Sequence, residues 1–582
     1  MTGVLRSGAL RHSTLRLAAV VFVTSLTTPV ASGKSEDNRA EPRRGGRLVV
    51  GVRTEVKHFN PLTALDQPTR TVHSLLHADL LRIDRTDLET YPNVASEWHV
   101  SDDGRTYTIT LRDGVRFSDG HPLSVDDVVF SFRAYLDERV SSPQRDLLVV
   151  GGEPIRVTKL DERRVAFTLT SPYAAGERLF DSFHVLPEHI LGDWLDRGEG
   201  AGAWGLLSEP KQLVGLGPFR VKQVVPGERV VLERNPHYFK VDASSRSLPY
   251  LDEVVFVLTS TEEAELLRFK AGDVHVIERL SAHNFDALAA DGAGFQMLDL
   301  GPGLEYHFFL FNLNDTPAPK RWLDNVAFRR ALAAAIDKQA IVELVFGGRA
   351  TPLATHVTLG NSFWLNRELG VGHYSVAAAK RGLRDAGFRW DGEGNLVDDT
   401  GTRVVLSVLT NAGNRNRALM ASLIQADLER VGIRVRIATL EFRAYVERIF
   451  DARDYDTALM ALVSGDTDPN PQLSVLMSDG ATHVWRLGEG APHTPWEAEI
   501  DRLMQQQLIT LDAQQRKALY DRVQAIMLEY QPIVGLASPH ILVGADKDLR
   551  NFRPGIVPPY TLWNADELFF EGGASAVDAV SR

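Results

Sequence analysis

The stretch "VVLSVLTNAGNRNRALMASLIQADLERVGIRVRIATLEFRAYVERIFDARDYDTALMALV", residues 404–463, decides the fold class of this 582-residue chain. Apolar side chains dominate residues 404–409 and 457–463, and they alternate with arginines over 433–437, so these segments are predicted strands. Apolar residues at helical spacing fill the intervals between the strands. Strands that alternate with helices are joined by right-handed crossovers and lie parallel. The stretch therefore predicts an α/β fold.

Two loops follow the carboxyl ends of these strands: "TNAGNRNR", residues 410–417, and "SGDTDPNP", residues 464–471. In open α/β sheets, ligands bind at this edge. Arginine holds a carboxylate through two parallel hydrogen bonds, and aspartate accepts hydrogen bonds from an ammonium group. The loops therefore predict a site for a small ligand that carries both charges. The candidate ligand-binding residues are Arg415, Arg417, Asp466 and Asp468.

Each of these candidates has a purely structural alternative. Asp466 and Asp468 can form a turn ahead of Pro469, in which side-chain oxygens accept backbone N–H bonds. Arg415 and Arg417 can stand at the start of a helix and pair with surface acids. If the ligand brings a free amine, the sequence favours Asp466 as its partner.

The composition of the chain excludes some classes of partner. The chain is 44% hydrophobic and 24% charged, as globular proteins are. It carries 64 basic and 76 acidic side chains, a formal net charge of −12. This acidic balance argues against nucleic acid or an anionic membrane as the main partner.

Sequence motifs of enzymes are missing. The chain has no Walker A loop, no G-x-S-x-G turn, no H-E-x-x-H helix and no cysteine. His73 and His77 are four residues apart on a predicted helix, but Ser74 stands where a metalloprotease needs its glutamate. Two ordinary helix-face histidines are therefore favoured over zinc ligands. We predict no catalytic residue, no metal and no cofactor.

The N-terminus has the parts of a secretory signal peptide. Three arginines lie within residues 1–16, an apolar run covers 17–26, and small residues stand at 31–33. The run is too short for a membrane span, which takes about 20 apolar residues. No cysteine follows it, so no lipid anchor is predicted. We expect residues 1–33 to be removed and the protein to be periplasmic.

Several long segments resemble one family. "PNVASEWHVSDDGRTYTITLRDGVRFSDGHPLSVDDVVFSF", residues 92–132, resembles the signature segment of bacterial family 5 extracellular solute-binding proteins. These are the peptide- and nickel-binding subunits of ABC importers. The likeness continues in the same order through residues 215–239, 311–348, 377–388 and 424–437. It therefore covers essentially the whole mature chain.

The resemblance implies an α/β, two-lobed periplasmic binding protein of the Venus-flytrap type, class II, in its large form with an extra subdomain in the first lobe. The chain would cross to the second lobe near Phe311, along an edge-like strand. The expected segments are a signal peptide (1–33), a linker (34–46), lobe 1 (47–85), its extra subdomain (86–208), lobe 1 again (209–305), lobe 2 (306–532), a return to lobe 1 (533–571) and a disordered tail (572–582).

The resemblance also implies a function. Such proteins work as monomers that deliver solute, here most simply peptides, to an ABC permease in the inner membrane, and they catalyse nothing. In dipeptide- and oligopeptide-binding members, an aspartate in the loop matching 464–471 binds the amino terminus of the ligand, and Asp466 and Asp468 match it. Those members usually carry an aromatic residue just before the loop, whereas this chain has Leu462 and Val463.

Other functions stay open at this point. Within the same family the ligand can be a nickel chelate, an opine or an oligosaccharide instead of a peptide. From other classes, the alternatives are an exported hydrolase and a receptor that feeds a sensor or has a chaperoning role.

Overall fold

The computed structural model describes residues 41–572, except for 293, 316–321 and 489. The predicted signal peptide and most of the predicted linker and tail lie outside these residues. No helix in the described part combines the length and the apolar character that a membrane span requires.

The stretch that predicts the fold class forms parallel strands joined by helices. The strands are Val405–Asn411, Arg434–Leu440 and Thr457–Val463, and the helices Arg415–Glu429 and Phe442–Phe450 connect them. The first strand pairs in parallel with both of the others. The α/β prediction is confirmed.

These strands belong to a sheet of 12 strands. In chain order they are β1 (Arg47–Val52), β2 (Phe219–Val225), β3 (Arg229–Arg234), β4 (Glu253–Leu258), β5 (Val276–Ile277), β6 (Phe295–Pro302), β7 (Glu305–Phe311), β8 (Ala350–Pro352), β9 (Val405–Asn411), β10 (Arg434–Leu440), β11 (Thr457–Val463) and β12 (Ile533–Asp546). The hydrogen-bonded order is β2-β3-β4-β1-β5-β12-β7-β11-β9-β10, and β6 and β8 pair with β12 beside this path.

Strand β12 joins the two halves of the sheet. Its first residues pair with β7 and β8, and its last residues pair with β5 and β6. Strand β7 lies between β11 and β12. The edge position that the sequence predicts for this strand is therefore wrong, because neighbours hydrogen-bond to it on both sides.

Helices cover both halves of the sheet. Those of eight or more residues are α1 (Gln67–Leu76), α2 (Val125–Leu136), α3 (Glu188–Asp196), α4 (Glu262–Lys270), α5 (Ala282–Asp291), α6 (Val326–Ala335), α7 (Lys338–Phe346), α8 (Val376–Asp385), α9 (Arg415–Glu429), α10 (Phe442–Phe450), α11 (Pro495–Ile509) and α12 (Ala513–Tyr530).

A smaller antiparallel sheet lies within the first half of the chain. Helix α2 packs on it, with the Phe132 and Phe167 rings 4.7 Å apart. A short helix, Gly176–Leu179, follows the sheet and carries Arg178. The strands of this sheet, in hydrogen-bonded order, are Ala95–Val100, Thr106–Leu111, Arg164–Thr168 and Arg156–Lys159.

Buried apolar side chains form two large cores. The first core draws on residues 48–276 and 545–570. The second core draws only on residues 306–537. The chain therefore builds most of one core, completes a second, and returns to the first.

Candidate ligand-binding site

The loop over residues 464–471 leaves β11 at its carboxyl end, as the sequence predicts. Val463, the last residue of β11, pairs with Glu305, the first residue of β7. The Ser464 N–H donates to the Leu304 carbonyl at 3.2 Å, which holds the start of the loop against this edge. A short 3-10 turn, Asn470–Gln472, ends the loop.

Asp466 forms a bidentate ion pair with Arg178. The Arg178 Nε and Nη2 atoms each lie 2.5 Å from an Asp466 carboxylate oxygen, and both side chains are 18% exposed. Arg178 also donates to the Leu88 carbonyl at 3.0 Å. Burial raises the pKa of Asp466, but the hydrogen bonds and charge of Arg178 outweigh it, so this pKa lies below its ordinary value. An ionised Asp466 thus links the loop to the part of the chain that builds the first core.

Asp468 is buried and faces a different partner. Its two oxygens accept from Arg516 Nη1 and Nη2, both at 3.0 Å, and the Arg516 guanidinium lies 4.8 Å from the Trp364 ring. Its Oδ1 also accepts from the Asn470 N–H at 3.0 Å, which is the turn that the structural alternative describes. These contacts hold the loop to helix α12.

Arg415 and Arg417 lie in the first turn of helix α9. The loop that the sequence predicts over these residues is wrong, and the structural alternative of a helix start is confirmed, because β9 runs on to Asn411 and the Asn414 side chain caps the helix by accepting from the Arg417 N–H at 2.9 Å. Arg415 is exposed, and among the described residues we find no hydrogen bond or ion pair for it. Arg417 is half-buried and donates from Nη1 to Asn411 Oδ1 at 2.7 Å.

Glu305 is a charged residue at this edge that sequence reasoning missed. It pairs with Arg279 at 2.7 Å, and its other oxygen lies 3.1 Å from His307 Nε2. Burial alone would raise the pKa of Glu305. The hydrogen bond from His307 and the charges of His307, Arg279 and Arg417 have the larger effect, and they lower this pKa to about 2. Arg279 follows β5. The Arg279–Glu305 ion pair is therefore a second one between the part of the chain that builds the first core and the end of the sheet where β7 begins. No local pattern in the sequence marks it.

Arg279 also lines a cavity of about 430 Å³ beside β1. On the cavity wall, Arg53 donates to Glu265 at 2.7 Å, and Glu278 accepts from the Thr561 hydroxyl at 3.0 Å. Burial raises the pKa of Glu278. Arg279 therefore connects this cavity, whose lining comes from the segments that build the first core, to Glu305 at the start of β7.

Metal binding is not indicated by the arrangement of side chains. Within the ranges that the structure describes, no three His, Cys, Asp or Glu side chains are placed to hold a metal ion. His73 Nε2 lies 3.1 Å from the His58 carbonyl, and the His77 ring stacks on Trp204. Burial lowers the pKa of His73 to about 3 and that of His77 well below its ordinary value, so both rings are neutral.

Comparison with known proteins shows the family to which this chain belongs. Residues 89–483, more than half of the chain, match the bacterial extracellular solute-binding proteins, family 5, in the middle region of that family. The oligopeptide-binding protein AppA of Bacillus subtilis is 25% identical over 566 residues, which cover 93% of this chain and 96% of AppA. The dipeptide-binding protein of Escherichia coli K12 is 25% identical over 516 residues, which cover 85% and 89%.

A solved structure agrees with these relatives. The structure of AppA from Bacillus subtilis in complex with a nonapeptide superposes with a TM-score of 0.71 at 25% identity, over 91% of this chain and 100% of that one. The fold is therefore the two-lobed α/β fold of periplasmic binding proteins, as the resemblance implies. The chain belongs to the bacterial extracellular solute-binding proteins of family 5, the binding components of ABC transporters.

Proposed function

We propose that this chain is the periplasmic binding subunit of an ABC importer and that it captures peptides between its two lobes. It works as a monomer, hands its ligand to a permease in the inner membrane and catalyses nothing. Relatives matched over most of their length are named for binding oligopeptides and dipeptides, and the AppA structure holds a nonapeptide. One observation carries the proposal: charged side chains gather where the two cores meet, beside the carboxyl end of β11.

We assign residues 306–532 to lobe 2 and the flanking segments to lobe 1, with residues 86–208 as its extra subdomain. The second core supports this assignment because it draws only on residues 306–537. The first core supports it because it draws on both flanks. On this assignment, the Arg178–Asp466 ion pair joins the two lobes, and the Arg279–Glu305 ion pair lies within lobe 1, at its border with lobe 2.

Of the four candidate residues, Asp466 and Arg417 are the ones we propose to border the ligand. Asp466 lies at the border, and Arg417 is close enough to Glu305 for its charge to lower the pKa of that acid. The buried pairing of Asp468 with Arg516 favours a structural role for Asp468. Arg415 is exposed at the start of helix α9, which favours its structural alternative, a solvated residue at a helix start.

Export by the signal peptide, without a lipid anchor, is part of the same proposal. Its test is cell fractionation followed by intact-mass measurement. The protein should be recovered from the periplasm with a mass that starts near residue 34. A mature protein that keeps residues 1–33, or one held in the membrane by a lipid, would contradict this part.

The peptide function is tested by melting curves of the purified protein with a pool of random peptides, followed by mass spectrometry of the retained fraction. A bound ligand at a hundredfold excess over Kd stabilises the folded state by about 2.7 kcal/mol. We expect stabilisation and recovery of intact peptides. Cleaved peptides would favour a hydrolase, and no retained peptide would favour one of the other ligand classes.

A further inference from the structure

The acids at the border between the lobes already have cationic partners. Asp466 accepts from Arg178 through both of its oxygens, and its Oδ1 also accepts from the Thr467 N–H at 2.6 Å. Glu305 is paired with Arg279. An ammonium group on a ligand could bind either acid only by displacing a guanidinium that makes charge-assisted hydrogen bonds.

The acids that line the cavity do not offer a replacement. Glu265 is paired with Arg53. Glu278 accepts from the Thr561 hydroxyl. Burial also raises the pKa of Glu278, which makes its charged form harder to maintain and weakens it as a partner for an ammonium group.

The arginines, in contrast, keep hydrogen-bond donors without acceptors. Arg53 Nη2 and Arg417 Nε are buried, and neither has a partner among the described residues. Arg53 lines the cavity. Buried N–H groups in folded proteins are nearly always hydrogen-bonded, so a carbonyl or carboxylate oxygen of a ligand would satisfy these donors. These two arginines therefore have unused capacity for oxygen acceptors.

We infer that the site selects N-blocked peptides, such as N-acylated peptides with a free carboxylate, over peptides with a free amino terminus. Arg178 occupies the place on Asp466 that a free ammonium would need, so Arg178 determines the specificity. The acyl, peptide and carboxylate oxygens of such a ligand supply the acceptors that Arg53 and Arg417 lack. This inference rests on the proposed function and adds the class of peptide.

The test is a competition between two pools. Random tripeptides with free amino termini are mixed in equal amounts with the same tripeptides after N-acetylation, and the fraction retained by the protein is counted by mass spectrometry. For the wild-type protein we expect at least a tenfold enrichment of the acetylated pool, equivalent to 1.4 kcal/mol.

Variants then test the role of Arg178. Arg178→Met should release the Asp466 carboxylate and reverse the preference, whereas Arg178→Lys should keep it. A matched control is Arg443→Met, since Arg443 is 86% exposed on α10 and its one ion pair among the described residues is with Glu447 on the same helix. This control should bind as the wild type does. Melting curves check that each variant is folded.

The outcomes separate this inference from the function on which it rests. Retention of the free pool in preference to the acetylated one by the wild type would overturn the inference alone, because peptides would still be bound. Retention of neither pool would overturn the peptide function and the inference together. The wild-type comparison decides even if Arg178→Met fails to fold.

Discussion

Replacing Asp468 with asparagine tests whether the second acid of the loop holds the fold rather than the ligand. Asp468 and Arg516 are 6% and 5% exposed, and two hydrogen bonds of 3.0 Å join them. Breaking a buried ion pair on one side costs about 3–5 kcal/mol. Arg516 keeps the Gln507 side-chain oxygen at 2.9 Å as an acceptor, so we expect the lower end, about 3 kcal/mol. At about 2.1 cal/mol/K of unfolding entropy per residue, this lowers Tm by roughly 3 °C.

The assay is scanning calorimetry without ligand, together with titration of the peptides that the wild type retains. The control is Glu499→Gln, since Glu499 and Arg522 form an exposed pair between helices α11 and α12, with side chains 36% and 49% exposed. Such a pair contributes at most about 1 kcal/mol. If Asp468→Asn melts with the control, or if it keeps its stability and loses binding, then Asp468 is not the structural anchor that the contacts indicate.

Three more predictions concern acidity, closure and packing. Between about pH 7 and pH 5 the melting temperature should fall, because buried His73 and His356 have pKa values of about 3 and about 4 in the folded state. The unfolded chain takes up protons below a pKa of about 6.5, so each histidine costs about 2 kcal/mol at pH 5, and a flat profile would contradict this. A saturating peptide should reduce the radius of gyration in small-angle scattering, because a ligand contacts both lobes only in the closed state, and an unchanged radius with ligand bound would exclude closure. Gly217→Ala should cost about 1–3 kcal/mol in thermal unfolding. A Cβ there would lie 2.3 Å from the Leu75 carbonyl, whereas Gly202→Ala meets nothing within 4 Å, and equal melting of the two variants would refute the packing argument.

The sequence predicts the strands, helices and loop positions that depend on interactions between residues close to one another along the chain. Residues 404–463 form the predicted strands and helices because apolar spacing and helix stops act within a few residues. The position of the loop 464–471 follows from the end of β11 for the same reason. The helix start at Arg415 differs from the prediction because β9 extends further and Asn414 caps the helix, and such boundary effects are small in energy.

The partners of Asp466 and Asp468 could not be predicted from the sequence. Arg178 lies 288 residues from Asp466, in a helix of four residues with no apolar periodicity to mark it. Arg516 lies on the buried side of α12, where a charged residue breaks the expected pattern, and this was the one available signal for a buried partner. Contacts of this kind depend on how the cores dock, which no spacing along the chain encodes.

The order in which the two cores are completed has a consequence for synthesis. The second core is built from one continuous segment, residues 306–537, so it can close as soon as that segment has left the ribosome. The first core cannot be completed until later, because its members over 545–570 are synthesised last. During that interval, the apolar side chains of residues 48–276 lack their final neighbours and are open to premature aggregation. A released chain truncated after residue 540 should therefore hold a protease-resistant second half and a protease-sensitive first half.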